Sequence, residues 1–216
     1  MKGLLTKDFY ILKQRKQTFL IFIGVCIIMG FTSNGSFLVG YMCFLSAFMA
    51  VSTIAYDDAD NGMPFLMTLP VERKTYALSK YVLGGIFCFL AWVVSLVVLY
   101  AIGLIRGTLY DPAQELVSSL IFFPLVALML DLTIPIQLKY GAEKSRTVMF
   151  ILFGGIAAIL VLGRKVFFRE DGGRALLASL ENIPGSLVVL GLVGISVVLT
   201  LVSLGVSRRI MEKKTF

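Results

Sequence analysis

Four aspartates are the residues of this chain best placed to do chemistry. Asp57, Asp58 and Asp60 fall together where a long apolar stretch ends, and Asp131 stands alone inside another. An aspartyl dyad, as an intramembrane protease would use, needs two acids within the membrane, and one subunit supplies only Asp131. No histidine occurs, which removes His-based general-base catalysis and the commonest transition-metal ligand. Cys26, Cys43 and Cys88 all lie in apolar runs, where they behave as small hydrophobes rather than disulfide partners or zinc ligands. There is no Gly-Lys dipeptide, so the phosphate-cradling loop with its lysine is absent. Asp131 stays open between two readings. It is either a cavity-lining acid that meets a cationic peptide or couples protons, or an interhelical hydrogen-bond partner near the hydrated inner interface. It lies eight residues before Lys139, about 12 Å of helix rise. Pro124 and Pro135 flank it and can kink the helix, and Thr133 and Gln137 share part of its face.

The elements that must position these acids are membrane helices. Residues 17–56 run for 40 positions without a charged side chain, broken only by Thr32-Ser33-Asn34-Gly35-Ser36. Crossing a bilayer takes about 20 apolar residues, so this run holds two crossings and a tight turn. Apolar residues make up 58% and charged residues 15% of the chain, and the mean hydropathy is +0.90. Uncharged runs define six spans, at about 18–31, 37–56, 81–105, 116–138, 147–163 and 183–206. The short links at 32–36 and 107–114, with Asn34-Gly35 and Asp111-Pro112 as turn signals, imply antiparallel neighbours. The predicted fold is an all-α integral membrane protein forming a single transmembrane domain over 1–216.

The net charge of +7 does not point to nucleic acid, because the cations sit at the ends of apolar runs rather than in one patch. With the N-terminus inside, fifteen of the 20 Lys and Arg residues fall on inner segments, and Arg106, Arg164, Lys165, Arg169 and Arg174 fall outside. Both termini are therefore expected in the cytoplasm. The first span, with no small-residue cleavage site after it, is expected to direct insertion itself.

Three segments outside the spans matter. In residues 1–16, Met1, Leu4, Leu5, Phe9 and Leu12 share a stripe, which predicts an amphipathic helix on the inner leaflet; a solvated basic tail is the alternative, since Asp8 intrudes. Residues 57–80 form the longest cytoplasmic loop, in which Asn61-Gly62 breaks the helix and Met63-Pro64-Phe65-Leu66-Met67 makes an apolar cluster. Such a cluster either docks into a partner's groove or dips into headgroups and packs under the bundle. Pro70 and Glu72 suit the first turn of the next helix, which Arg73, Lys74 and Lys80 anchor at the interface. Residues 164–184 are too long for a turn and too apolar for a free loop, which predicts short external helices. Gly84-Gly85, Gly154-Gly155 and Gly191-x-x-Gly194 offer close helix approach.

Three stretches carry a resemblance: Lys2-Gly3-Leu4-Leu5-x-Lys7-Asp8-Phe9, Tyr56-Asp57-Asp58, and the run Phe65-Leu66-Met67-Thr68-Leu69-Pro70-Val71-x-Arg73-x-x-Tyr76 with Ser79-Lys80-Tyr81. In them the chain resembles the permeases of ABC type-2 exporters of Gram-positive bacteria. It looks most similar to those exporting phenol-soluble modulins, amphipathic peptide toxins of staphylococci. The motifs cover roughly the first 85 residues; beyond them the six-span plan agrees. The resemblance implies that residues 1–16 are an interfacial elbow helix. It also implies a coupling helix seated in a cleft of an ATPase subunit, assigning that contact to Asn61, Met63, Pro64, Phe65, Leu66, Thr68, Leu69 and Arg73. Such permeases bind no nucleotide, so ATP and Mg are expected on the partner. Two ATPase copies, a second permease chain (identical or a paralogue), the bilayer of a bacterial plasma membrane and a peptide substrate complete the expected assembly. Export of drugs or lipids, and toxin immunity without an ATPase, are the competing functions.

Overall fold

The computed structural model describes residues 1–32, 35–59, 62–107, 112–167 and 185–214. They form eight helices: α1 (Lys2–Gln14), α2 (Lys16–Thr32), α3 (Gly35–Asp58), α4 (Gly62–Thr68), α5 (Arg73–Arg106), α6 (Pro112–Ser119), α7 (Phe122–Phe167) and α8 (Gly185–Lys213). Four stretches are long and apolar enough to cross a membrane: Phe37–Asp58, Arg73–Arg106, Glu115–Gly155 and Val188–Lys213. The shorter apolar helix Lys16–Phe31 accompanies them.

α3 is the axis of the bundle. Val39, Cys43, Ala47, Val51 and Ile54 recur every three or four positions, so they share one face and are buried. That face packs on Cys88, Leu96 and Leu99 of α5 and on Val126, Met129, Leu130, Ile134 and Leu138 of α7. Small side chains at 43 and 47 let the neighbouring helices approach closely. Of the glycines expected to serve packing, Gly84 does so, since a Cβ there would lie 2.7 Å from Leu130 Cδ1. Gly85, Gly154, Gly155, Gly191 and Gly194 meet nothing within 4 Å in this chain. The cysteines are free and buried, as small hydrophobes would be.

Three elements differ from the sequence expectation. The stretch 139–146, expected as an inner connection, is helical apart from Gly141, whose φ of 77° and ψ of 175° break α7 in two. Glycine is needed there twice over, because the left-handed φ disfavours a Cβ and Asp58 Oδ2 would lie 2.7 Å from one. The start of the expected fourth span is a separate short helix, α6, tied to α5 by Trp92 Nε1 donating to Ser119 Oγ at 2.9 Å. α5 begins at Arg73, with Glu72 extended at its N-cap, so Pro70 and Glu72 precede the first turn rather than forming it. Of the external segment 164–184, residues 168–184 lie outside the described residues.

α1 is a helix, but its inward stripe is Leu4, Asp8 and Leu12. Met1 is 48% and Phe9 40% exposed, although Phe9 still packs its ring 5.5 Å from that of Phe87. Asp8, the residue that seemed to spoil the stripe, lies at its centre.

Candidate functional site

At one end of the bundle the helices meet around a buried ionic cluster that the sequence reading did not anticipate. Asp8 from α1, Asp57 from α3, and Tyr76 and Lys80 from α5 are all at most 6% exposed. Lys80 Nζ lies 2.8 Å from Asp8 Oδ2, 2.8 Å from Asp57 Oδ2 and 3.0 Å from Thr53 Oγ1. Tyr76 donates its hydroxyl to Asp57 Oδ2 at 2.8 Å. Lys7 pairs with Asp57 and sits 3.3 Å from Asp8 Oδ1. Two ammonium groups therefore face two carboxylates, so the cluster is formally neutral and each charge has several partners. Buried charges persist only under that condition. Lys80, expected as an interfacial anchor, is instead the hub joining α1, α3 and α5.

The next residue extends the connection to a fourth element. Asp58 Oδ2 accepts from the Ala142 backbone N–H at 3.0 Å, capping the helix that restarts after Gly141. The last two residues of α3 thus hold α1 and α5 through Asp57 and α7 through Asp58. A sequence signal existed for Asp8, four residues from Leu4 and four from Leu12, and for Asp57, three beyond Ile54. In both cases an acid continues a buried face.

α4 follows directly and divides the residues expected to couple an ATPase. Met63 (2% exposed) and Leu66 (8%) point into the core, while Phe65 is 71% exposed and Leu69 47%. Pro64 and Thr68 are also exposed, and Thr68 donates to the Phe65 carbonyl at 2.7 Å. Asn61 lies outside the described residues. Arg73 reaches the end of α8, donating through Nη1 to the Met211, Glu212 and Lys214 carbonyls at 3.4, 3.2 and 2.8 Å. It satisfies carbonyls that a helix C-terminus leaves free.

Asp131 is 7% exposed and sits between α5, α7 and α8. Its Oδ2 accepts from Thr200 Oγ1 at 2.9 Å, and its backbone carbonyl accepts from Ser203 Oγ at 2.6 Å. Tyr81 extends the chain of hydroxyls, 2.7 Å from Ser203 Oγ and 2.9 Å from Ser207 Oγ. Asp131 Oδ1 has no hydrogen-bond partner among the described residues. The interhelical contact is thus present, with one oxygen left over.

Beside the Gly141 break, a cleft of about 460 Å³ opens between α3 and α7. Phe48, Phe150 and Phe153 form its apolar wall, and Ser52, Thr133, Gln137, Ser145 and Arg146 supply polar groups. Gln137 Oε1 is buried there without a partner among the described residues.

An all-helical, multi-pass membrane protein is the class that these apolar helices define. The sequence matches the family described as ABC-2 family transporter protein over residues 3–212, nearly its whole length, and the chain belongs to that family. No curated protein and no solved structure matches it. Family membership makes the chain a transport subunit in the membrane, of a kind not itself catalytic, and implies an ABC ATPase as partner.

Proposed function

We propose that this chain is the permease of an ATP-driven exporter that moves amphipathic or hydrophobic peptides, with two permease chains and two ATPases in the assembly. α4 carries this reading. One of its faces is fixed in the core through Met63 and Leu66, and the other presents Phe65 outward, with Leu69 exposed just beyond its end. A push on that outward face reaches Asp57 and Asp58 within a few residues, and through them α1, α5 and α7. ATP binding draws the ATPases together, α4 moves with them, and the permease interface alternates between inward and outward states as a population shift.

Six crossings with both termini in the cytoplasm fit the contacts. α7, with 46 residues, would be about 69 Å long if straight, over twice a bilayer core. Its break at Gly141 lies beside Asp58, and Arg73 and Lys214 cluster at the same end of the bundle. Arg106 reaches the Phe31 carbonyl at the opposite end. An up-down order through α2, α3, α5, the two parts of α7 and α8 produces this grouping.

The α3–α7 cleft supports the peptide substrate that the resemblance implies. Its aromatic wall suits the apolar face of a helical peptide, and its hydroxyls and amide suit the polar face. ATPase activity of the reconstituted permease–ATPase pair, measured with amphipathic peptides, drugs and lipids, tests both parts. Stimulation by the peptides is expected. Stimulation by drugs or lipids alone overturns the substrate, and no ATPase binding overturns the whole reading.

A further inference from the structure

Asp131 has too few partners for an ionised carboxylate. It is 7% exposed, lies ten residues before Gly141 within an apolar helix, and takes part in no ion pair among the described residues. The groups beside it are hydroxyls, those of Tyr81 on α5 and of Thr200 and Ser203 on α8. Its Oδ1 is buried and meets no hydrogen-bond donor among the described residues. A charge buried without partners is costly enough that the group takes up a proton instead.

The hydroxyl hydrogens lead to the same result. Thr200 Oγ1 lies 2.9 Å from Asp131 Oδ2 and 2.9 Å from the Ser196 carbonyl oxygen. With Asp131 ionised, the single hydrogen of Thr200 would have to serve both acceptors. With a proton on Oδ2, Asp131 donates to Thr200 and Thr200 donates to Ser196, so each contact has its own hydrogen. Ser203 offers the carboxyl group nothing, because its hydrogen goes to the Asp131 backbone carbonyl at 2.6 Å. The α3–α7 cleft and a second cleft between α7 and α8, around Pro135 and Val206, both lie beside this helix, and Asp131 lines neither. A metal ion or a substrate's ammonium group needs such room, whereas a proton does not.

We propose that Asp131 is a proton-binding site whose proton ties α7 to α8. The proton removes the charge and supplies the hydrogen of the Asp131–Thr200 bond. Its loss leaves an unpaired carboxylate between the helices, which admitting water relieves. Proton release therefore shifts the population toward a wider α7–α8 seam.

Infrared spectroscopy of the full chain in nanodiscs tests the site. At neutral pH, the difference between wild type and Asp131→Asn should contain the carbonyl stretch of a protonated carboxyl group. Thr200→Val, which removes the acceptor of that proton, should shift the band and so assigns it without the Asn variant. Spin labels on Leu132→Cys and Val202→Cys, at exposed positions of α7 and α8, read the seam. The distance between them should lengthen as rising pH abolishes the band, and stay fixed when Asp131→Asn is added. Carboxylate bands alone at neutral pH, a band that Thr200→Val leaves unmoved, or a pH-dependent distance that persists with Asp131→Asn would each overturn the proposal.

Discussion

At the scale of single residues, the cluster around Lys80 explains why ionisable groups recur at the ends of otherwise apolar helices. Removing Lys80 leaves Asp8 and Asp57 buried and facing one another, with Lys7 as their remaining cation. Breaking a buried pair in this way costs about 3–5 kcal/mol. Lys80→Met should therefore lower the thermal midpoint of the detergent-solubilised chain sharply, and adding Asp8→Asn should recover part of the loss. Additive losses in that double-mutant cycle would show that the two do not interact. Gly141→Ala should cost more than Gly107→Ala, although both have positive φ, of 77° and 69°. A methyl at 141 meets Asp58, whereas at 107 it meets open space. Neither the cluster nor the cap was legible from composition. A charge beside an apolar run reads equally well as an interfacial anchor, and only long-range packing shows which charges turn inward. Asp8 had the clearer trace, being in register with Leu4 and Leu12.

At the scale of elements, α4 is a short helix with one buried and one exposed face, and the proposed coupling assigns them different work. The sequence shows an apolar cluster, but a seven-residue helix is too short for spacing alone to separate the faces. The structure separates them, and the separation can be tested. Phe65→Asp changes a side chain that is 71% exposed, so the fold should persist while the ATPase no longer co-purifies. Leu66→Asp buries a carboxylate without a partner and should destabilise the permease itself, by several kcal/mol. The measurements are co-purification of the ATPase and the permease's own melting, made on both variants. An unchanged ATPase yield with Phe65→Asp would remove α4 from the coupling contact. The apolar helices were legible because residues 17–56 carry no charge at all. The helical continuation through 139–146 was not, since Lys139, Glu143, Lys144 and Arg146 make that stretch look like a loop. Charged side chains at a helix bend have the composition of a connection.

At the scale of the whole molecule, the crossing number decides which surfaces an ATPase and a substrate can reach. Four helices pass a test of length and apolarity, but one of them covers Glu115–Gly155, far more than a single crossing requires. If that stretch crossed only once, reaching the Asp58 side at Gly141, α8 would start on that side and end on the opposite one. Yet Ala142 donates to Asp58, and Lys214 donates to the Leu138 carbonyl three residues before Gly141. The neighbourhood of Asp58, Arg73, Gly141 and Lys214 therefore lies at one end of the bundle, opposite Phe31 and Arg106, as the proposed six-span order requires. Single cysteines can read this directly, because the native thiols are buried and contribute little background. With a membrane-impermeant maleimide on intact cells, Arg106→Cys should be labelled. Lys74→Cys, Glu143→Cys and Lys213→Cys should react only after the membrane is opened. Labelling of Glu143→Cys from outside would place the α7 bend on the far face, separate it from α4, and leave an ATPase beneath the membrane with no route to the α3–α7 cleft.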